Sequence, residues 1–195
     1  QRIFAEARSD LFVTVFYGVW DPETGRSIYA SAGHNPPLLK RRDGQFEWLT
    51  AQDGPLVGPI QGMAFKESAF QLAPGDELFF YTDGVTEANN VRRELFGNDR
   101  LLTVLNESQS ASVVDRIREV MDAVKAFAGE ASQADDITML GIRYHGTAPS
   151  GVAHVIFRRT MPNQLAAIPN LQLAFEQYVG QWERAKPLVP VLNMA

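Results

Sequence analysis

Cysteine is absent from this sequence of 195 residues. Disulfide bonds, thiolate nucleophiles and cysteine ligands for zinc are therefore excluded, and any active site must use other side chains. Apolar runs are short, and none reaches the roughly 18 residues that a transmembrane helix needs. These two absences together predict a cytoplasmic protein whose sequence, over this stretch, makes no contact with a membrane.

Blocks of like charge are also absent. The formal net charge is −5 and the isoelectric point is about 5.2, which disfavours a surface for nucleic acid. The longest basic run, Lys40-Arg41-Arg42, is predicted to be the exposed tip of a hairpin. Hydrophobic residues make up 45% of the chain and charged residues 21%, so it has enough apolar material for a sizeable core. The length fits one domain, or one domain and part of another.

Strand-like runs dominate the first half of the chain. They are rich in β-branched and aromatic residues, and Pro, Gly and Asp separate them. The turn Asp-Pro-Glu-Thr-Gly at 21–25 predicts one hairpin, and Asp43-Gly44 predicts another. The predicted strands cover 11–20, 26–33, 37–42, 45–50, 65–72 and 77–83.

Helical periodicity follows in the second half. Helices are predicted over 99–106 and 112–128, and the second has Ser112 at its start and Gly129 where it stops. A last strand over 136–144 is predicted to insert into the earlier sheet. The pattern predicts a layered α+β fold, with largely antiparallel strands, over residues 1–144.

Beyond it, residues 145–151 have the composition of a linker. A strand-like and a helix-like segment within 152–195 then predict the beginning of a second α/β domain. The chain starts without Met and ends within an apolar pattern, so we expect it to be a piece of a longer protein.

Acidic residues lie at the ends of two predicted strands. Asp83 of the sequence TDG ends one strand, and Asp135 begins another. If these strands are antiparallel neighbours, both carboxylates emerge at one edge of the sheet. Two carboxylates about 4 Å apart repel by roughly 4 kcal/mol at an effective dielectric constant near 20. A shared proton, an arginine or a divalent cation must then offset the repulsion.

Mg²⁺ and Mn²⁺ suit such hard oxygen ligands at strand ends. Gly84 lets the backbone approach closely, and its carbonyl oxygen is a further candidate ligand or orients a water. The alternative is that TDG forms an ordinary turn and Asp135-Asp136 a solvated loop. A haloacid-dehalogenase site is excluded, because Tyr81 stands where that class needs its nucleophilic aspartate.

Five motifs carry a resemblance to a known family over residues 1–144. In chain order they are FVTVFYGVWDPETG, SAGHNPPLL, LAPGDELFFYTDGVTEANN, LFGNDRL and QADDITMLGIR. Together they resemble the SpoIIE/RsbU class of bacterial metal-dependent protein serine/threonine phosphatases, within the PPM superfamily. The resemblance implies a β-sandwich flanked by helices, a pair of Mn²⁺ or Mg²⁺ ions between the sheet edges, and hydrolysis of phosphoserine or phosphothreonine.

Carried over residue by residue, the resemblance implies that Asp83 and Asp135 are the catalytic, metal-ligating aspartates. Asp136 falls where relatives have Asp or Asn, so it supports the loop by hydrogen bonds or adds to the metal site beside Gly84. Two cations would lower the pKa of a bridging water and neutralise the phosphoryl oxygens, and no cysteine is needed.

One departure from the family concerns the remaining ligands. The family has further aspartates in an N-terminal Gly-Asp segment and an Asp-x-x-Gly-His-Gly segment. Neither segment lies before the first of the five motifs in this sequence, and the pair Gly75-Asp76 belongs to a later turn. We therefore expect this chain alone to bind metal poorly and to be inactive. The alternative is a catalytically silent module that docks a phosphoprotein or has a regulatory role.

Histidines and arginines near these motifs have weaker claims to a function. His34 in AGHNPP is expected to hold its turn by hydrogen bonds to the backbone, and the isolated His145 and His154 are expected to be structural or solvent-facing. Arg92 and Arg93 either attract a phosphoprotein or form a solvated flap, and the flap is favoured.

The C-terminal stretch FRRTMPNQLAAIPNLQLAFEQYV has a resemblance of its own, to the start of an anti-sigma-factor kinase of the histidine-kinase-like ATPase superfamily. The two resemblances imply that the partner is a phosphorylated anti-sigma-factor antagonist in bacterial partner-switching signalling. The sequence leaves the oligomeric state open, and a homodimer is one alternative.

Overall fold

The computed structural model describes residues 13–49, 54, 56–57 and 64–146. Seven strands and three helices lie in these ranges, and none of the helices is long and apolar enough to cross a membrane. The predicted linker from residue 147 onward and the predicted second domain lie outside the described residues, as does His154. In chain order the elements are β1 Val15–Trp20, β2 Arg26–Ala32, β3 Leu38–Lys40, β4 Phe46–Trp48, β5 Ser68–Gln71, β6 Glu77–Tyr81, α1 Asp83–Thr86, α2 Gly97–Glu107, α3 Val113–Ala128 and β7 Met139–Arg143.

Two antiparallel sheets form the centre of the fold. Their strand orders are β1-β2-β5 and β4-β3-β6-β7. Both predicted hairpins are confirmed, because β1 pairs with β2 across 21–25 and β3 pairs with β4 across Asp43-Gly44. The last strand, β7, pairs with β6 from Glu77↔Arg143 to Tyr81↔Met139, so it joins the earlier sheet as predicted.

The alternation of side chains in β6 decides how the layers stack. Phe79 and Tyr81 belong to the core cluster that the helices cover. Phe80 points to the opposite face, where its ring lies 5.2 Å from that of Phe16 and 6.4 Å from that of Trp20 in β1. Burial on both faces of a strand favours apolar residues, which explains the run LFFY at 78–81. The four-stranded sheet is therefore the middle layer, between the three-stranded sheet and the helices.

Aromatic rings fill the inner face of the three-stranded sheet. Tyr29 stacks on Phe16 with centroids 5.2 Å apart and meets Phe70 edge-on at 5.5 Å. Gly18 pairs with Tyr29 across the two strands. A side chain at Gly18 would come within 2.9 Å of the Trp20 ring, so the glycine makes room for the rings around it.

Helix α3 covers the other face of the four-stranded sheet. Its ends lie close to the predicted ones, since the helix was predicted over 112–128. The Ser112 hydroxyl accepts a hydrogen bond from the Asp115 amide, and Gly129 ends the helix with a φ of 59°. Val120 is fully buried within the core cluster. A side chain at Gly141 of β7 would overlap Val113 of the helix, so glycine is needed where helix and strand approach closely.

A buried ion network ties α3 to the sheet. Glu77 of β6 accepts hydrogen bonds from Arg116 of α3 at 2.6 Å and from Arg143 of β7 at 2.5 Å. The side chain of Glu77 is 6% exposed and that of Arg116 is 3% exposed. Three elements thus share one carboxylate that is shielded from water.

The basic run at residues 40–42 lies at the β3–β4 hairpin, and Arg41, whose side chain is 55% exposed, agrees with the predicted exposed tip while also making long-range contacts. Its guanidinium donates to the Asp76 carboxylate at 2.7 Å and to the carbonyl of Gln71 at 2.6 Å. Asp76, which is 1% exposed, also accepts from the amides of Arg42 and Ala73. Gln71 ends β5 and Asp76 precedes β6, so Arg41 joins the two sheets.

Burial has a measurable consequence for Tyr81. It raises the pKa of the phenol from 10.0 to about 12, although a hydrogen bond with Asn35 opposes the shift. Between about pH 10 and about pH 12, the unfolded chain therefore loses this proton while the folded chain keeps it. The free energy of unfolding should fall as the pH rises through that window, and Tyr81→Phe should flatten the fall. Urea denaturation at several alkaline pH values measures the slope; equal slopes for both proteins would contradict the prediction.

Candidate metal site

Asp83 lies just beyond the end of β6. The strand stops at Tyr81, and Asp83 is the first residue of α1, so the prediction that it ends a strand is wrong by two residues. Pairing with β7 also stops there, because Tyr81 is the last residue of β6 with a partner in the ladder. The Asp83 side chain is exposed, and its Oδ1 accepts a hydrogen bond from the Gly84 amide at 3.0 Å.

Asp135 and Asp136 lie in the loop that leads into β7. The strand begins at Met139, so the prediction that Asp135 begins it is also wrong. Asp135 is exposed and Asp136 is half-buried. Oδ1 of Asp135 accepts the Asp136 amide at 2.7 Å, and the side chain of Gln133 donates to the Asp135 carbonyl at 2.8 Å.

Thr82 connects the two acidic segments. Its amide donates to the carbonyl of Thr138 at 3.0 Å. Its hydroxyl donates to the carbonyl of Asp136 at 2.9 Å and accepts from the Thr138 amide at 2.9 Å. The sequence analysis missed Thr82; the available signal was a hydroxyl residue directly before an acidic residue at the end of a buried strand.

Gly84 lies against the same loop. A Cβ atom there would overlap the carbonyl oxygen of Asp136 and come within 3.2 Å of that of Asp135. The prediction that Gly84 permits a close approach of two backbone segments is therefore confirmed. The fold brings the segment 82–84 and the segment 135–138 together at one end of the paired strands β6 and β7.

The acidic groups of Asp83, Asp135 and Asp136 have no cationic side chain as a partner among the described residues. Among the described residues, no Arg or Lys forms an ion pair with Asp83, Asp135 or Asp136, and no hydrogen bond joins the carboxylates of Asp83 and Asp135 to each other. Each of these two carboxylates accepts one main-chain N–H at Oδ1. No described donor contacts either Oδ2 atom, so both keep an oxygen available for a ligand.

The donor set fits a hard divalent cation but does not complete its shell. Carboxylate and carbonyl oxygens are the ligands that Mg²⁺ and Mn²⁺ prefer. Within the described ranges, no three His, Asp or Glu side chains gather closely enough to hold a metal ion. Octahedral coordination takes about six oxygens, so water or further ligands must supply the rest.

The predicted role of His34 is confirmed. Its Nδ1 lies 2.9 Å from the carbonyl oxygen of Asn35, so the ring holds its own turn when Nδ1 carries the proton. Asn35 in turn hydrogen-bonds with Tyr81, two residues before Asp83. His145 is exposed, in agreement with the prediction of a structural or solvent-facing residue.

Arg92 and Arg93 lie on an exposed flap closed by the bridge between Asn89 and Leu95. Arg92 pairs with Glu94 at 2.9 Å, and Arg93 has a positive φ of 61°. The favoured prediction, a solvated flap, agrees with this exposure. Its apolar residues are exposed too, Val91 by 74% and Leu95 by 54%.

Comparison with known proteins identifies relatives of residues 1–145. Residues 1–145 match the family of Stage II sporulation protein E (SpoIIE). Protein IcfG of Synechocystis sp. is 34% identical over 136 residues, which are 68% of this chain and 20% of IcfG. Phosphoserine phosphatase RsbU of Bacillus subtilis is 27% identical over 136 residues, 69% of this chain and 40% of RsbU. The chain thus spans less than half the length of these curated relatives.

Solved structures share its fold. The phosphatase domain of the cell fate determinant SpoIIE from Bacillus subtilis, presoaked with Mn, superposes with a TM-score of 0.56 at 20% identity, covering 70% of this chain and 58% of that one. The SiaA-PP2C domain of Pseudomonas aeruginosa gives 0.53 at 20% identity, covering 62% and 47%. The predicted antiparallel sheets with flanking helices are confirmed by these neighbours. Since the family match extends over residues 1–145, the chain belongs to the SpoIIE family.

Proposed function

We propose that this chain carries part of a Mn²⁺- or Mg²⁺-dependent protein serine/threonine phosphatase domain. The observation that supports the proposal is the close approach of the backbone segments that carry Asp83 and Asp135. Among the described residues, no Arg or Lys forms an ion pair with either carboxylate. The similarity to the phosphoserine phosphatase RsbU supports the same reaction. The substrate class is a phosphorylated regulatory protein.

In this proposal Asp83 and Asp135 hold the metal through carboxylate oxygens. Gly84 keeps the two segments close, and Asp136 supports the loop or adds an oxygen ligand. A divalent cation, when bound, lowers the pKa of a water and neutralises charge on the phosphoryl oxygens. The exposed position of both aspartates lets a phosphorylated side chain on another protein approach them.

The partner we propose is a phosphorylated anti-sigma-factor antagonist, in partner-switching signalling in the cytoplasm. The similarity to the phosphoserine phosphatase RsbU supports it. The start of an ATPase-like domain within 152–195 stays a prediction, since it lies beyond the residues that match the family.

A second candidate function is a docking module without catalysis. The small number of acidic ligands among the described residues favours it. The apolar Val91 and Leu95, exposed on the flap, add a surface on which a protein partner can pack.

Hydrolysis of a phosphoserine peptide tests the proposed phosphatase. In the presence of Mn²⁺, we expect the 195-residue chain to show no turnover, because the N-terminal Gly-Asp and Asp-x-x-Gly-His-Gly segments do not precede its first motif. A chimera that places these segments of RsbU before the chain should gain Mn²⁺-dependent turnover. EDTA should abolish it.

Two results would decide against parts of this proposal. Robust turnover by the chain alone would contradict the predicted inactivity. A folded chimera that binds the peptide but releases no phosphate with Mn²⁺ or Mg²⁺ would contradict the phosphatase and favour the docking module.

A further inference from the structure

Thr82 is not an expected metal ligand, yet its hydroxyl contacts the loop that carries one. It bonds to the carbonyl of Asp136 and to the amide of Thr138, each at 2.9 Å. Thr82 directly precedes Asp83 in the chain, and Asp136 directly follows Asp135. One hydroxyl therefore joins the immediate neighbours of both candidate ligands.

The two bonds determine where the loop lies relative to the end of β6. In the described structure the ladder between β6 and β7 ends at the pair Tyr81↔Met139. Beyond that pair, the amide of Thr82 donates to the carbonyl of Thr138 and its side chain makes the two bonds already given. The threonine side chain thus extends the pairing past the last strand residue.

Gly84 acts on the same loop from the other side of Asp83. Its lack of a side chain allows the carbonyls of Asp135 and Asp136 to lie close to its Cα atom. A methyl group there must push the loop away, because the overlapping atoms belong to the backbone rather than to a flexible side chain. The hydrogen bonds of Thr82 hold the segment 82–84 against the loop at 135–138. The absence of a Cβ atom at Gly84 leaves room for this close approach.

We propose that Thr82 and Gly84 are positioning residues that set the separation between the Asp83 and Asp135 carboxylates, and so the affinity of the metal site. The inference rests on the proposed metal site, and it assigns to neither residue a contact with the reacting atoms. Residues that orient metal ligands typically change metal affinity by about 10- to 100-fold when they are replaced.

The principal test is Mn²⁺ affinity, measured calorimetrically on the chimera that places the N-terminal metal segments before the chain. Thr82→Val preserves the shape of the side chain and removes the hydroxyl, and we expect roughly 10- to 100-fold weaker binding. Thr82→Ser keeps the hydroxyl and should bind within about threefold of the wild type. Gly84→Ala should weaken binding at least as much as Thr82→Val.

Thr86→Val is the matched control. The hydroxyl of Thr86 donates to the carbonyl of Asp83 at 3.2 Å, within the same turn, and does not bond to the loop at 135–138. Its loss should leave Mn²⁺ affinity within about threefold of the wild type. A comparable loss for Thr86→Val and Thr82→Val would overturn the inference, because any missing hydroxyl near Asp83 would then have the same effect.

Hydrogen exchange at the Thr138 amide provides a readout that does not need the metal. We expect Thr82→Val to accelerate this exchange and Thr86→Val to leave it unchanged. If Asp83→Asn has no effect on Mn²⁺ binding by the chimera, or the unsubstituted chimera takes up none, the proposed metal site fails. The positioning role is overturned if Thr82→Val leaves the exchange at Thr138 unchanged. It is also overturned if Thr82→Val leaves the Mn²⁺ affinity unchanged while Asp83→Asn weakens it. If Thr82→Val does not fold, Gly84→Ala decides by the same affinity criterion.

Discussion

Glu77→Ala is expected to lower the free energy of unfolding by about 3–5 kcal/mol, because it leaves a buried arginine without its counter-ion. The Arg116 side chain is 3% exposed, and its remaining contacts are the carbonyl of Ser110 and the ring of Phe46. Arg143 loses the same partner, but its side chain is 25% exposed. Water can therefore replace part of the hydrogen bonding that Glu77 provided to its guanidinium. Urea denaturation at neutral pH measures the change.

Arg118→Ala provides the control on the same helix. It removes an exposed ion pair with Asp115, whose side chains are 66% and 53% exposed, and should cost no more than about 1 kcal/mol. Replacing the buried pair together, as Glu77→Leu with Arg116→Met, should cost less than Glu77→Ala, since no buried charge is then left alone at that pair. Equal losses for Glu77→Ala and Arg118→Ala would show that burial does not determine the contribution of the network.

Asp83→Asn should weaken the binding of Mn²⁺ by at least about 100-fold, because a neutral amide replaces an anionic ligand in a site with few acidic groups. Asp135→Asn should have an effect of the same size. The measurement is calorimetric titration of Mn²⁺ into the chimera with and without each substitution, with circular dichroism to verify that each protein is folded. Both side chains are exposed, so neither change should affect folding strongly.

Substitutions at two further acidic residues distinguish a specific metal site from a general attraction of the cation to negative charge. Asp136→Asn should weaken Mn²⁺ binding by less than about tenfold if its main role is to support the loop. Asp99→Asn, an exposed acidic residue in the first turn of α2, should leave the affinity unchanged. Similar small losses in all four variants would indicate nonspecific attraction of the cation and would remove the basis of the proposed phosphatase site.

Local patterns were sufficient for most of the fold. The Asp43-Gly44 turn and the turn at 21–25 each predicted a hairpin that the structure contains. Ser112 and Gly129 marked the ends of α3, because capping satisfies backbone groups within one turn of the helix. Strand ends were predicted less well; the strand predicted over 65–72 is limited to Ser68–Gln71, since β5 has its partner β2 only over those residues.

Long-range contacts explain what the patterns missed. Arg41 is exposed as predicted, but its ion pair with Asp76 was not predicted, because Asp76 comes from a distant part of the chain. Thr82 was overlooked for the same reason, since its hydroxyl bonds to Asp136 and Thr138. Hydrogen bonds between residues this far apart leave no periodic signal in the sequence.

The amino-acid sequence by itself determined the family, the two-sheet architecture and the candidate ligands Asp83 and Asp135, because each follows from short-range chemistry or from ordered motifs. Only the tertiary structure decided how the two acidic segments meet. The ladder between β6 and β7 ends at Tyr81↔Met139, and the meeting beyond it depends on the Thr82 hydroxyl and the missing Cβ of Gly84. Pairing register and close backbone approach are properties of two distant segments together, and neither segment specifies them alone.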